Sequence, residues 1–408
     1  MGGDAVLLCR FGGECRLYFW VTAEEAVDVT DFVRGRGVKL GGGFAPALSW
    51  LKSPPYVHAR AFGSIGECVR WAYGVLRRSS SLSRLRGAEV LVGVSGGKDS
   101  TVALAVVEGL RRVLRASFRV RPMYVYVPYL DSVSARSFVE GRLRKAFETE
   151  VEVVEGRVRD VRRYLKWRGM PRRGSRWCTY FKVRPMRDVM RSDRRAVEVV
   201  ADRVTESLKR AWKLVKYASE SAILAGRRFR PTYLMTLLDI AAAVKTLGLT
   251  HPHYLLGYPR VACALCPFRS ISELGDGCGD ALKDVEDPGL IEEVWRRDWS
   301  KRYGPRGVGF EEYVTHALWR FSPGLAKDIL KLKEALLKSE GVAAERLGRG
   351  EVREALTKLW EPSTAVEAPK APNPWLVAEA VKAGLEGGWA AATFRRGGPQ
   401  PLAKLSIP

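Results

Sequence analysis

Val90-Leu91-Val92-Gly93-Val94-Ser95-Gly96-Gly97-Lys98-Asp99-Ser100, continued by Thr101-Val102-Ala103-Leu104-Ala105-Val106-Val107, is the stretch that decides the fold. Residues 90–94 form an apolar run that is too short for a helix and rich in β-branching. That is the pattern of a buried parallel strand. The apolar residues from Thr101 onward begin a helix, expected over 99–113. A strand, a glycine turn and a helix N-terminus together make an anion site. The glycines let the backbone come close to a ligand. Amides without a helical acceptor, and the positive helix end, face it. Ser95 and Ser100 add hydroxyl donors and Lys98 a point charge. Asp99 repels phosphate by itself and makes sense as the holder of a Mg²⁺ that bridges phosphates. The spacing is not that of the common P-loop.

Downstream, strand and helix patterns alternate. Strands are expected within 120–129, at 151–154 and at 197–201, and helices at 132–148, 157–166, 207–224 and 236–247. This alternation predicts an α/β fold with a doubly wound, mainly parallel sheet, its ligands held beyond the carboxyl ends of the strands. Upstream, residues 17–21 and the stretch around 26–33 read as strands or a small αβ unit. Residues 65–78 read as an amphipathic helix, and Ser79–Ser83 break the pattern. Residues 286–345 read as helices. The Pro- and Ala-rich run from 361 reads as a linker followed by a short helix and a tail. The expected domains are therefore an N-terminal accessory domain (1–85), a nucleotide-binding domain (86–280), a helical extension (281–360), and a linker and tail (361–408).

The chain has 408 residues, with 68 Lys and Arg against 45 Asp and Glu, a net charge of +23. A surplus of this size favours a polyanionic partner, RNA or DNA first. The basic stretch 157–176, with Trp167 and Trp177, is a candidate for tracking a backbone and stacking bases. No run of 18 apolar residues suggests a membrane span. The N-terminus does not read as a signal peptide. Seven cysteines, an odd count, fit a reducing cytoplasm with metal or redox roles for some. The gap between Cys9 and Cys15 suits a zinc knuckle poorly.

Ser95–Ser100 is similar to the pyrophosphate loop (PP-loop) of the adenine-nucleotide α-hydrolase group, of HUP-like fold. Those enzymes act at the α-phosphorus of ATP or a related adenylate. Four later segments resemble, in order, motifs of one branch, the phosphoadenylyl-sulfate (PAPS) reductase family and its relatives. They are Arg176-Trp177-Cys178 with Lys182 and Pro185; Ala201-Asp202-Arg203 through Glu206-Ser207 to Arg210; Arg230-Pro231 with His251-Pro252-His253-Tyr254; and Gly257-Tyr258-Pro259-Arg260 leading to Cys263-Ala264-Leu265-Cys266-Pro267-Phe268. The resemblance covers about residues 88–270.

Lys98, Asp99, Lys182 and Arg203 are the candidate catalytic residues. Ser95, Gly96, Gly97, Lys98, Asp99, Ser100, Arg203, Glu206, Ser207 and Arg260 are the candidate nucleotide-binding residues. Arg203, at a strand end, builds a cationic pocket with Lys182 and Lys98. Glu206 can brace Arg203 or hold Mg²⁺, Ser207 can cap the next helix, and Arg260 is a second anion clamp. The resemblance gives Tyr124–Val127 backbone contacts to adenine.

Cys263 and Cys266 have spacing shared by zinc and iron–sulfur sites. Cys178 stands where cluster-bearing relatives place a ligand pair, here with Trp177 as the other member. Cys278 can complete the set. Alternatively the fourth iron stays open, as in three-cysteine relatives that thiolate tRNA. The expected metal is a [4Fe–4S] cluster on Cys178, Cys263, Cys266 and Cys278. Zinc, with His251 or His253 as a further ligand, is the alternative. No cysteine follows Cys278, so the tail thiolate of the sulfite-forming reductases is missing. The resemblance thus implies an enzyme that uses ATP to activate a nucleic acid, RNA such as tRNA or the ribosome, for sulfur transfer from an unnamed donor. The alternatives are a sulfonucleotide reductase and a non-catalytic RNA-binding protein.

Overall fold

The computed structural model describes residues 4–10, 15–29, 62–115, 117–203, 223–338, 346–357, 360 and 389–391. Along the chain run β1 (Ala5–Arg10), β2 (Cys15–Trp20), β3 (Glu25–Asp28), α1 (Ile65–Arg78), β4 (Glu89–Gly93), α2 (Lys98–Val113) and β5 (Arg119–Tyr126). Next come α3 (Val133–Phe138), β6 (Glu152–Glu155), α4 (Val158–Arg168), α5 (Cys178–Ser192), β7 (Val197–Val199), β8 (Leu224–Ala225), β9 (Arg228–Phe229) and α6 (Leu237–Thr246). α7 (Pro288–Asp298), α8 (Pro323–Lys338), β10 (Arg346–Gly348), α9 (Arg349–Thr357) and β11 (Trp389–Ala391) complete the set used below.

The central sheet has the order β6-β5-β4-β7-β9-β8, parallel except for the β8–β9 hairpin. The chain moves outward from β4 to β5 and β6, then returns to the other side of β4 with β7. That reversal makes the β4–β7 boundary the switch point where ligands of such sheets bind. β4 is apolar because both of its faces are covered: Val90, Leu91 and Val92 are all buried. The mixed α/β architecture with a mainly parallel sheet is the one expected from the alternation.

Three elements differ from the sequence reading. The expected helix 132–148 is interrupted by a π turn at Val139–Leu143. α5 had no helical signal of its own, because Pro185 lies inside it and removes one backbone donor. α1 has the expected limits but not the expected allegiance. It starts on a Ser64 cap that accepts from the Glu67 amide. Its buried face (Cys68, Val69, Ala72, Val75, Leu76) then shares one core with Val102, Val106 and Leu110 of α2. Helix 65–78 thus flanks the central sheet, and the accessory unit expected to reach residue 85 does not include it. The expected helix 207–224 falls largely outside the described residues; its last residue, Leu224, begins β8. Most of the expected linker and tail also lies outside them.

The other sheet joins distant parts of the chain in the antiparallel order β10-β3-β2-β1-β11. Within it, Cys9 and Cys15 face each other in the β1–β2 register. A third layer is helical: α7 and α8 share a core with Val161 and Leu165 of α4 and with Trp319. Among the described residues no helix is long and apolar enough to cross a membrane.

One buried carboxylate ties these layers together. Asp4 accepts from Nη1 and Nη2 of Arg320 at 2.9 and 2.8 Å and from the Ile271 amide at 2.8 Å. Burial alone would raise the Asp4 pKa, but the charges of Arg320 and Lys333 hold it far below the usual carboxylate range. The opposite charges act on Lys333 less completely. Burial pulls its ammonium down to about 8 despite Asp4. Removing one partner of a buried pair leaves the other uncompensated. Asp4→Asn is therefore expected to lose about 3–5 kcal/mol of unfolding free energy at neutral pH, read by urea titration. The wild-type advantage is complete above the ordinary carboxylate pKa of 3.8 and is lost as pH falls below it. A loss below about 1 kcal/mol would show that the pair does not hold the layers.

Candidate active site at the β4–β7 switch point

The turn after β4 is built on its own hydroxyls. The Ser95 amide donates to Ser100 Oγ at 3.1 Å, Ser100 Oγ donates to the Gly97 carbonyl at 3.0 Å, and the Gly97 amide donates to Ser95 Oγ at 3.3 Å. Gly96 has φ +72°, and a Cβ there would stand 3.2 Å from Val139 Cγ2. The positive φ is the backbone conformation that favours glycine, and the close valine leaves little room for a side chain. The Lys98 amide, first in α2, donates to the Tyr254 hydroxyl at 2.9 Å. The sequence reading expected amides open to a ligand. Those of Ser95, Gly97 and Lys98 instead have acceptors within the protein, because amides at a helix start take whatever acceptor lies in reach.

Lys98, Asp99 and Arg203 form one charged unit. Arg203 Nε donates to Asp99 Oδ1 at 2.5 Å, and Lys98 Nζ lies 3.4 Å from Asp99 Oδ2. Arg203, four residues past the end of β7, is only 2% exposed. Burial would raise the Asp99 pKa, yet the charges of Arg203 and Lys98 outweigh it and hold it at about 2. Asp99 is therefore ionised at any physiological pH. Arg203, expected to face a phosphate, is braced by Asp99. Glu206 and Ser207, expected as its neighbours, lie outside the described residues.

Beyond the carboxyl ends of β4 and β5 opens a cavity of about 310 Å³, at the small end of the range for small-molecule sites. Gly93, Val94 and Ser95 line one side and Tyr124 and Val125 another. Lys182 and Met186 of α5 and the segment Val261–Cys263 with Cys266 close it. The Tyr124–Val127 stretch thus reaches the cavity through its first two residues. Lys182 Nζ pairs with Asp131 Oδ1 at 2.8 Å, and Asp131 Oδ2 accepts from the Val127 amide at 2.8 Å. Burial opposes the Lys182 charge, but Asp131 prevails and raises its pKa well above the usual value. Asp131 was not foreseen. Its position just past β5, where site residues of such sheets gather, was the available signal. Arg260 immediately precedes the lining residue Val261 in the chain; burial and the charges of Arg320 and Arg260 lower the Arg173 pKa to about 9.

Cys263 and Cys266 line this cavity, and Cys178 lies close enough to both to interact with them electrostatically. Burial pushes the Cys178 thiol up to about 11. Burial and Asp131 push the Cys263 thiol well above its ordinary value. Cys278 is elsewhere, in the helical core, with its Sγ 3.9 Å from the Val314 carbonyl. Among the described residues no three His, Cys, Asp or Glu side chains are grouped to hold a metal ion. The donor set expected for a [4Fe–4S] cluster or zinc is not assembled, and no chemical step is assigned to either. His251 and His253 are buried at pKa values of about 3 and 4, held down mainly by desolvation.

The basic stretch 157–176 forms α4 and the connection that leads into α5. Trp167 is 62% exposed with the Arg168 guanidinium 4.2 Å from its ring, and Tyr180 is 48% exposed beside Arg184. Trp177 departs from expectation. Its indole donates to the Gly169 carbonyl at 3.1 Å and its ring packs on Tyr164 and Phe181, so it serves the helix junction rather than the surface.

Comparison with known proteins adds little to this geometry. No family model matches the chain, and no curated protein matches it. Among solved structures it is similar to the NH3-dependent NAD synthetase of Campylobacter jejuni subsp. jejuni in complex with the nitrate ion. The identity is 17% and the TM-score 0.30, over 58% of this chain and 93% of that one. It is also similar to the NAD+ synthetase of Burkholderia pseudomallei, at 17% identity and TM-score 0.28, over 56% of this chain and 87% of that one.

The charged unit makes a prediction. Arg203→Met leaves burial of Asp99 opposed only by Lys98, so its titration midpoint moves upward from about 2. Carboxyl carbon shifts read across pH check this, and an unmoved midpoint would mean that Arg203 does not carry the pairing.

Proposed function

We propose that the chain is an ATP-dependent enzyme of the PP-loop type. It breaks ATP between the α and β phosphorus, releases pyrophosphate and transfers adenylate to RNA, preparing an acceptor oxygen for replacement by sulfur. The observation that supports this most is the cavity. Its lining brings Ser95, the first residue of the glycine turn, together with Tyr124 and Val125, Lys182, Cys263 and Cys266. The adenosine would lie against Tyr124 and Val125 and the phosphates at the turn. Lys98 and Lys182 would face the charge that grows on the leaving pyrophosphate. Asp99, ionised throughout the physiological range, is the residue to hold Mg²⁺, which would neutralise the same charge. It would have to exchange its Arg203 contact to do so.

The acceptor is argued from the surface. A charge of +23 and the exposed Trp167 and Tyr180 among arginines fit a single-stranded polyanion with faces to stack. The same helix α5 carries Tyr180 on the surface and, two residues on, Lys182 at the cavity. In this reading the sulfur comes from an external donor and displaces AMP with the acceptor oxygen, and Cys263 and Cys266 are the thiols placed beside that exchange. Both line the cavity where an adenylated acceptor would sit.

Pyrophosphate release with Mg-ATP and RNA pools tests the first step. Activity is expected to require RNA and to fall at least 10²-fold in Lys98→Ala. RNA binding should weaken tenfold or more in the Trp167→Ala, Tyr180→Ala double variant, from stacking worth about 1–3 kcal/mol per base. RNA binding that survives Lys98→Ala, with no pyrophosphate formed from any RNA, would leave a binding protein and no enzyme.

A further inference from the structure

His251-Pro252-His253-Tyr254 roofs the glycine turn, and nothing above gives it a task. His251 is fully buried. Its Nδ1 accepts from the His253 amide at 3.0 Å, so the proton of the neutral ring sits on Nε2. That Nε2 is buried with no hydrogen-bond partner. The adjoining Cδ2 lies 3.5 Å from where a Gly96 Cβ would stand, which turns this edge of the ring toward the turn. A buried donor left without an acceptor is uncommon and calls for a cause.

Tyr254 is its complement. Its hydroxyl accepts from the Lys98 amide at 2.9 Å and also bonds the Val261 backbone. A Cβ on Gly97 would lie 3.7 Å from that oxygen. The phenol oxygen thus stands at the start of a 16-residue helix, where an anion's oxygen would be favoured. The ring behind it is stacked on Trp360, with centroids 4.3 Å apart and planes at 21°.

We propose that Tyr254 holds the place of a phosphoryl oxygen, and that a nucleotide phosphate takes the Lys98 amide from it while accepting the His251 Nε2 proton. The inference rests on reading Ser95–Ser100 as a phosphate-binding turn. It adds one residue that competes with the ligand and one that waits for it. Two opposite effects follow. Tyr254→Phe keeps the ring and its stack on Trp360 but removes the competing oxygen. His251→Phe removes the waiting donor. His251→Gln restores a donor at about the same reach.

The test is calorimetric titration of the full chain and these variants with pyrophosphate and with Mg-ATP. Tyr254→Phe is expected to bind pyrophosphate about twofold to tenfold more tightly than the wild type, the net worth of one neutral hydrogen bond. His251→Phe should bind it about tenfold more weakly, and His251→Gln should recover most of that loss. Binding that Tyr254→Phe leaves unchanged or weakens, or that His251→Phe leaves unchanged, overturns the inference and spares the phosphate turn. If no protein in the set binds pyrophosphate or Mg-ATP, the turn itself is misread and the inference goes with it. If His251→Phe does not fold, Tyr254→Phe decides alone.

Discussion

A carboxylate and a guanidinium meet across the seam of the central sheet, and the site depends on their meeting. Asp99 belongs to the helix that follows β4, and Arg203 to the chain leaving β7. Their contact at 2.5 Å locks the glycine turn to the strand on the other side of the switch point. It also fixes charge. Without Arg203 a buried Asp99 would drift toward protonation, and the turn would lose its one ionised acceptor. The second pair, Lys182 with Asp131, repeats the arrangement at the far wall of the cavity. Each pair presents a cation whose position is set by an anion behind it, which is how a small site keeps charges oriented before any ligand arrives.

The parts that could be read from sequence are those whose cause is local. β4, the glycine turn and α2 follow from residues 90–107 alone, since burial on both faces makes the strand uniformly apolar. α1 was legible because its apolar face repeats at helical spacing and Ser79–Ser83 break the pattern. Its place in the fold was not legible. The same face can cover any apolar layer, and only the structure shows Val69 and Ala72 packed with the α2 core. α5 was hidden by Pro185, and the β10–β3 pairing by the length of chain between its strands.

The site residues divide in the same way. Lys98, Asp99 and Arg203 were named from their motifs, and the structure brings them together. Tyr254 was quoted within a motif without a role, because a tyrosine that satisfies one amide leaves no periodic trace. Trp177 was taken for a surface ring, because sequence cannot tell an indole that donates to a nearby carbonyl from one that faces water. Cys278 shows the same ambiguity. Its spacing from Cys266 is compatible with a ligand set, while its surroundings are the apolar core of the helical layer.

The sheet that couples β1–β3 to β10 has a bearing on how the protein is made. A strand at residues 25–28 finds its partner at 346–348, so on a ribosome the early hairpin is exposed for most of the time the chain is being extended. Its outer edge offers open backbone groups throughout that interval. Charges at that edge, such as Glu24 and Glu25, which later pair with Arg349 and Arg346, would keep it from joining the edge of another nascent copy. Shelter of this kind is needed only until residues 346–348 arrive to pair with β3.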